Sequence, residues 1–219
     1  MKKLKKKTRE EVISRLLSLY PNAECALHFK TNYQLLVAVV LSAQTTDKSV
    51  NEVTPALFEE CPDAETMAAV SEEELQKYLR RIGMYKTKAK NVKKLSMQLV
   101  EQYGGEVPKD YESLIALPGV GRKTANVVLS VGFGEQRIAV DTHVFRLANR
   151  IGIVDEKNVL NTELALMKAI PKQYWSDSHH ALIWHGRQVC VARNPKCGEC
   201  GICELCLKKG LAKESFLTD

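Results

Sequence analysis

The chain of 219 residues contains no long apolar run; the longest, Leu35–Leu41, falls far below the roughly 20 residues that span a bilayer as a helix. No apolar segment follows the lysine-rich start either, because Arg15 interrupts Val12-Ile-Ser-Arg-Leu-Leu, so no secretory leader is expected. The expectation is a cytoplasmic protein with no membrane partner. In that compartment its seven cysteines are thiols or metal ligands, not disulfides. Alternating strand patterns are missing apart from the short Ile138-Ala-Val140, and neither an internal repeat nor a low-complexity linker is present. These absences leave an all-α globule with short loops.

Charge is missing locally and not globally. Residues 1–9 carry six basic side chains and no acid, which equals the entire net charge of +6. Residues 49–76 hold eight acids and no base, and residues 77–94 hold eight bases and no acid. Such segregation gives a neutral body a basic face that can collect phosphates, although solvated helix faces look the same in sequence. Lys77, Arg80, Arg81, Lys86, Lys88 and Lys90 are the candidate phosphate contacts.

Helical periodicity and punctuation are plentiful. Apolar spacing predicts helices around 33–43, 48–60, 72–81, 88–103, 111–117, 122–131, 142–150, 161–169 and 178–190. Val12, Leu16 and Leu17 keep the same spacing. Thr8-x-x-Glu11 and Ser71-x-x-Glu74 read as capping boxes, and Gly83 and Gly104-Gly105 as helix stops.

The most informative segment is Leu117-Pro-Gly-Val-Gly-Arg-Lys-Thr-Ala125, set between two helical patterns. Its glycines bring bare backbone N–H groups against a phosphate, and the helix start beyond them adds positive dipole character. Lys123 lies just inside that helix. An amine must be neutral to attack, and a helix N-terminus with Arg122 alongside disfavours its protonated form; a plain phosphate contact is the competing reading. Asp141 follows eighteen residues later in Ala-Val-Asp-Thr-His, where it reads first as an N-cap. The C-terminal region holds Cys190, Cys197, Cys200, Cys203 and Cys206. Four thiolates suit structural zinc or an iron–sulfur cluster, and Cys-x6-Cys-x2-Cys-x5-Cys is not the paired spacing of a zinc ribbon. Cys25 and Cys61 stand alone and read as small buried hydrophobes.

The hairpin, the Val-Asp-Thr-His segment, the cysteine spacing, Leu41-Ser-Ala-Gln-Thr-Thr-Asp47 and Ile82-Gly-Met-Tyr-Lys-Thr-Lys-Ala89 together resemble the endonuclease III family of helix-hairpin-helix DNA glycosylase/AP lyases. The similarity runs in register from about residue 20 to Cys206. It implies a bifunctional enzyme of base excision repair that removes oxidised pyrimidines and nicks the strand by β-elimination. Its partner is double-stranded DNA with damaged pyrimidines or abasic sites, met at the nucleoid by a monomer. Lys123 would attack the sugar C1′ and form a Schiff base; Asp141 would assist deprotonation and stabilise charge on the sugar. Gly119 and Gly121 would present backbone donors to the phosphate 3′ to the lesion, with Val120 at the hairpin tip, and Arg122 and Lys88 would belong to the DNA-binding set. Gln44 would fill the gap left by an extruded nucleotide, with Met84 as the wedge where relatives often carry leucine. A [4Fe–4S] cluster would rest on Cys190, Cys197, Cys200 and Cys206, with Cys203 spare or exchanging with a neighbour.

By the same resemblance, residues 25–135 form a six-helix barrel ending in the helix-hairpin-helix at about 111–133. Residues 1–24 with 136–219 form the cluster domain, and the DNA cleft lies between. Two other readings compete. A mismatch adenine glycosylase shares hairpin and cluster, but would lack a lysine at position 123 and carry a long further C-terminal domain. A non-catalytic helix-hairpin-helix module would explain the glycines and not the Lys123/Asp141 pair.

Overall fold

The computed structural model describes residues 3–211, and within them every regular element is helical. The helices are α1 (Lys6–Leu19), α2 (Asn32–Leu41), α3 (Asp47–Glu60), α4 (Ala64–Ala69), α5 (Glu72–Leu79), α6 (Tyr85–Tyr103), α7 (Tyr111–Ile115), α8 (Arg122–Phe133), α9 (Thr142–Ile151), α10 (Val159–Ala169) and α11 (Trp175–Gln188). Short 3₁₀ turns cover Lys172–Tyr174 and Cys197–Glu199. None of these helices is long and apolar enough to cross a membrane.

The chain divides into two compact units, Ala26–Glu135 and Met1–Cys25 with Gln136–Asp219. In the first, α2 reads Asn-Tyr-Gln-Leu-Leu-Val-Ala-Val-Val-Leu and is buried on every face from Tyr33 to Leu41. A helix apolar all round has to be enclosed, and α3, α6 and α8 pack against it. Helices α4 and α5 lie on α6, and α7 packs on α8. In the second unit α11 packs on α1 and α9. Its core joins Val12, Ile13 and Leu16 to Val144, Leu147, Leu166 and Leu182.

Several local expectations are corrected. Thr8 does not open a capping box: α1 begins at Lys6 after Lys5, with no side-chain cap. Packing of Val12 and Leu16 in the core therefore sustains this helix, without a side-chain cap at its N-terminus. Ser71 caps α5 through the Glu74 N–H at 3.1 Å, but Glu74 turns to Lys77 at 2.5 Å and does not reciprocate. The reciprocal box belongs to α4, a helix the periodicity missed. There Asp63 accepts the Thr66 N–H at 2.9 Å, and the Thr66 hydroxyl oxygen accepts the Asp63 N–H. Ile138–Val140 is buried chain without strand pairing. Cys61 is fully buried, whereas Cys25 is only half-buried.

The Asp63 cap yields a measurable consequence. Hydrogen bonds from Thr66 hold the Asp63 carboxyl below the ordinary aspartate range. Asp63→Ala should cost about 1 kcal/mol of stability in urea unfolding at neutral pH. A depressed folded pKa contributes stability above the unfolded value of about 4 and loses it as pH falls through the folded one. The difference between variant and wild type should therefore shrink in that acid window; an equal difference at low pH would show that the cap does not depend on the carboxylate.

Candidate active site and cysteine centre

The hairpin is built by two closely packed helices and one obligatory glycine. Helix α7 is capped by Asp110, whose carboxylate accepts the Ser113 N–H at 2.8 Å. The chain then turns through Leu117–Gly121, closed by the Val120 N–H on the Leu117 carbonyl at 3.1 Å. Gly119 has φ +79°, and a Cβ there would stand 3.0 Å from the Asn91 side chain on α6. Conformation and space both demand glycine. Gly121 has open space where a side chain would stand, and as the N-cap of α8 it offers no capping group. The first turn of α8 thus begins with N–H donors that lie beyond the helical ladder. Val120, at the tip of the turn, is buried. Arg122 lies over the Tyr111 ring, with its guanidinium 5.5 Å from the centroid and 3.2 Å from the phenol oxygen. Lys123, second in α8, is partly exposed.

Gln44 and Met84 sit at two other turns of the same unit. Gln44 is exposed with φ +52°, between α2 and the Thr46 cap of α3. Met84, 49% exposed with φ +55°, immediately precedes α6. The left-handed residue at this corner is Met84 and not Gly83, the expected stop. Lys88 is only 4% exposed, and its ammonium donates to the Thr45 hydroxyl at 2.5 Å. Among the other candidate bases, Lys77 pairs with Glu74 and Arg81 approaches Glu52 at 3.6 Å, while Arg80, Lys86 and Lys90 are exposed.

In the other unit Asp141 is the N-cap of α9. Its Oδ1 accepts the Val144 N–H at 2.8 Å, which fixes the carboxylate on a rigid mount. Two residues on, burial pushes the His143 imidazole below the ordinary histidine range, against the opposing pull of Asp141. Arg146 and Arg150, one turn apart on α9, both reach the cysteine segment. Arg146 donates to the carbonyls of Gly186 and Cys190 at 2.9 Å each, and Arg150 to the Val191 carbonyl at 2.8 Å and the Cys190 sulfur at 3.5 Å. Sequence reasoning missed both; two arginines at i, i+4 behind Asp-Thr-His was the available signal.

Cys190, Cys197, Cys200, Cys203 and Cys206 line one small cavity of about 20 Å³ together with Arg150, His185 and Ile202. Among the described residues, no three His, Cys, Asp or Glu side chains converge on a single-ion site. Thiols around a hollow suit a multi-atom cluster, whose cysteine sulfurs bind separate irons. The surrounding donors suit thiolate: the Lys208 N–H points to the Cys206 sulfur at 3.3 Å, and the His185 Nε2 lies 3.5 Å from the Cys200 sulfur. Burial pushes the Cys206 thiol up to about 11, and Cys197 and Cys200 upward, with neighbouring sulfurs adding to the rise. Such thiols ionise readily only against bound positive charge. The chemistry of the donor set therefore fits an iron–sulfur group.

Comparison with known proteins agrees with this geometry. The profile of the HhH-GPD superfamily base excision DNA repair protein matches residues 37–172. Endonuclease III of Bacillus subtilis (strain 168) is 49% identical over 211 residues, covering 93% of this chain and 96% of that protein. Endonuclease III of Escherichia coli (strain K12) is 48% identical over 206 residues, with 93% and 96% covered. A solved trapped endonuclease III–DNA covalent intermediate superposes with a TM-score of 0.90 at 46% identity, over 94% of this chain and 97% of that one. A thermostable thymine-DNA glycosylase follows with a TM-score of 0.83 at 27% identity, over 92% and 96%.

Proposed function

Because the chain belongs to the endonuclease III family of HhH-GPD base excision DNA repair proteins, which are DNA glycosylase/AP lyases, we propose that it excises oxidised pyrimidines with Lys123 as nucleophile and Asp141 as its charged assistant. The observation that carries this reading is a lysine second in α8, directly after the glycine hairpin. It stands in a chain 46% identical to a protein trapped as a covalent DNA intermediate.

The target nucleotide leaves the stack first, since its glycosidic carbon is out of reach inside a duplex; extrusion costs a few kcal/mol and is easiest at a damaged base. The Gly119–Gly121 backbone and the start of α8 receive the neighbouring phosphate. Gln44 and Met84 enter the vacated stack. The neutral Lys123 amine attacks C1′ and the base departs; the second nitrogen proton is lost as the sugar opens to an imine. The imine acidifies the C2′ proton, and its removal expels the 3′ phosphate. Asp141 offers a fixed negative charge to the cationic sugar and a place for the lysine proton. DNA as substrate places this work at the nucleoid, in the cytoplasm.

Duplex DNA with a single abasic site, incubated with the protein in chelator, tests the reading. Cleavage 3′ to the site by β-elimination is expected. An intact abasic strand, with base release from a second duplex that carries an oxidised pyrimidine, would indicate a monofunctional glycosylase, and binding to both without either reaction a non-catalytic module.

The four residues proposed to hold a [4Fe–4S] cluster are Cys190, Cys197, Cys200 and Cys206. When bound, such a cluster cross-links the end of α11 to the loop that follows. Protein isolated without oxygen should be brown, with about four irons per chain. Stoichiometric zinc without visible absorbance would overturn that assignment. Arg80, Lys86 and Lys90 are proposed as phosphate contacts: neutralising a true contact should reduce the magnitude of the log–log salt slope by about 0.9. Unchanged slopes for all three would leave them a solvated face.

A further inference from the structure

Among the described residues, four that are not glycine adopt left-handed backbone: Gln44, Met84, Asn194 and Lys208. A side chain makes this conformation unfavourable, and it persists only where the surroundings hold it. Asn194 and Lys208 belong to the cysteine region. Gln44 and Met84 carry the two side chains assigned above to the vacated stack, and both are exposed.

One buried lysine connects their turns. The Lys88 backbone N–H donates to the Met84 carbonyl at 3.0 Å, in the first turn of α6. Its side chain reaches Thr45, the neighbour of Gln44, and donates to the hydroxyl at 2.5 Å. Thr45 Oγ1 in turn lies 3.4 Å from the Ala43 carbonyl, and the Thr45 N–H closes the turn on the Ser42 carbonyl at 3.1 Å. Lysine is almost never this buried unless its ammonium has a specific task. Burial lowers the Lys88 pKa, whereas Lys86 and Lys90 beside it remain in solvent, where phosphate contacts belong.

We propose that Lys88 is a positioning residue that clasps the Gln44 turn to the Met84 helix start, so that both probes meet the duplex at a preset spacing. It is then not a phosphate contact. The proposal rests on the reading that Gln44 and Met84 enter the vacated stack. The ordering cost of the two turns is met in the free protein and not on DNA, which favours the duplex that has a gap to receive them.

The test uses the full chain and two duplexes, one undamaged and one carrying a tetrahydrofuran abasic-site analogue, each titrated over a range of salt. Lys88→Met keeps length without charge, and Thr45→Val keeps shape without the acceptor. Each should lower the preference for the analogue over undamaged DNA roughly tenfold. The double variant should lose no more than either single, and Thr45→Ser should restore the preference. The salt slope of Lys88→Met should stay at the wild-type value. A slope reduced by about 0.9, with equal loss on both duplexes, would make Lys88 a phosphate contact and overturn the clasp.

Thermal unfolding of Thr45→Val, altered at a partly exposed site, controls for misfolding of the buried variant. Gln44→Ala and Met84→Ala separate the premise from the proposal. If they weaken both duplexes equally, the probe reading fails and the clasp with it. If they cut the preference while Thr45→Val retains it, the clasp alone is wrong.

Discussion

Lys123→Ala should abolish borohydride trapping of abasic-site DNA while leaving noncovalent binding close to wild type. The hairpin that receives phosphate is built from the Leu117–Gly121 turn and the Gly119–Asn91 approach, and neither uses the Lys123 side chain. Alanine is also a good helix former, so α8 should persist. Only the amine is lost. Removing a nucleophile typically lowers turnover by on the order of 10⁴-fold or more. Strand cleavage should therefore fall below detection and the dissociation constant hardly move. Loss of binding in parallel with loss of trapping would instead place Lys123 among the phosphate contacts.

Asp141→Asn should turn over roughly 10²–10³-fold more slowly with unchanged affinity, the size of effect seen when one group that stabilises transition-state charge is removed. The substitution is informative because the position also has a structural task. Asp141 caps α9 through the Val144 N–H, and asparagine caps helices about as well as aspartate. Thermal stability should thus stay within about 0.5 kcal/mol of wild type while the charge disappears. Asp141→Ala, which removes cap and charge together, should lose both stability and rate. Wild-type turnover in Asp141→Asn, with stability lost only in Asp141→Ala, would confine Asp141 to the cap.

The contrast between legible and hidden features has physical causes. The hairpin could be read because its conformation excludes most residues: Gly119 needs both positive φ and the absence of a Cβ. The Asp141 cap could be read because a carboxylate before an apolar-periodic helix has few other uses. Helix α4 was hidden by its length of six residues, too short to show a period, and only its Asp63 cap announces it. The start of α1 was misplaced because tertiary packing sustains that helix while its terminus carries no cap. Ile138–Val140 resembled a strand because a buried run of three apolar residues carries no period of its own.

Lys88 shows a signal that was present and easily overlooked. By residue type it merges with Lys86 and Lys90 into one basic run. By helical register it stands with Val92, Leu95 and Leu99 at i, i+4, i+7 and i+11, all on the buried face of α6. A lysine in an apolar register has to find a partner, and here it finds Thr45. The left-handed backbone of Gln44 and Met84 had no comparable sign, since neither residue type announces positive φ.

The most direct measurement is the identity of the residue that carries DNA after reduction. The wild-type protein is incubated with abasic-site duplex and borohydride, digested with protease and nuclease, and the modified peptide sequenced by mass spectrometry. The sugar remnant should sit on Lys123. A remnant on another amine, for example in the lysine-rich residues 1–9, with Lys123 unmodified, would contradict the account.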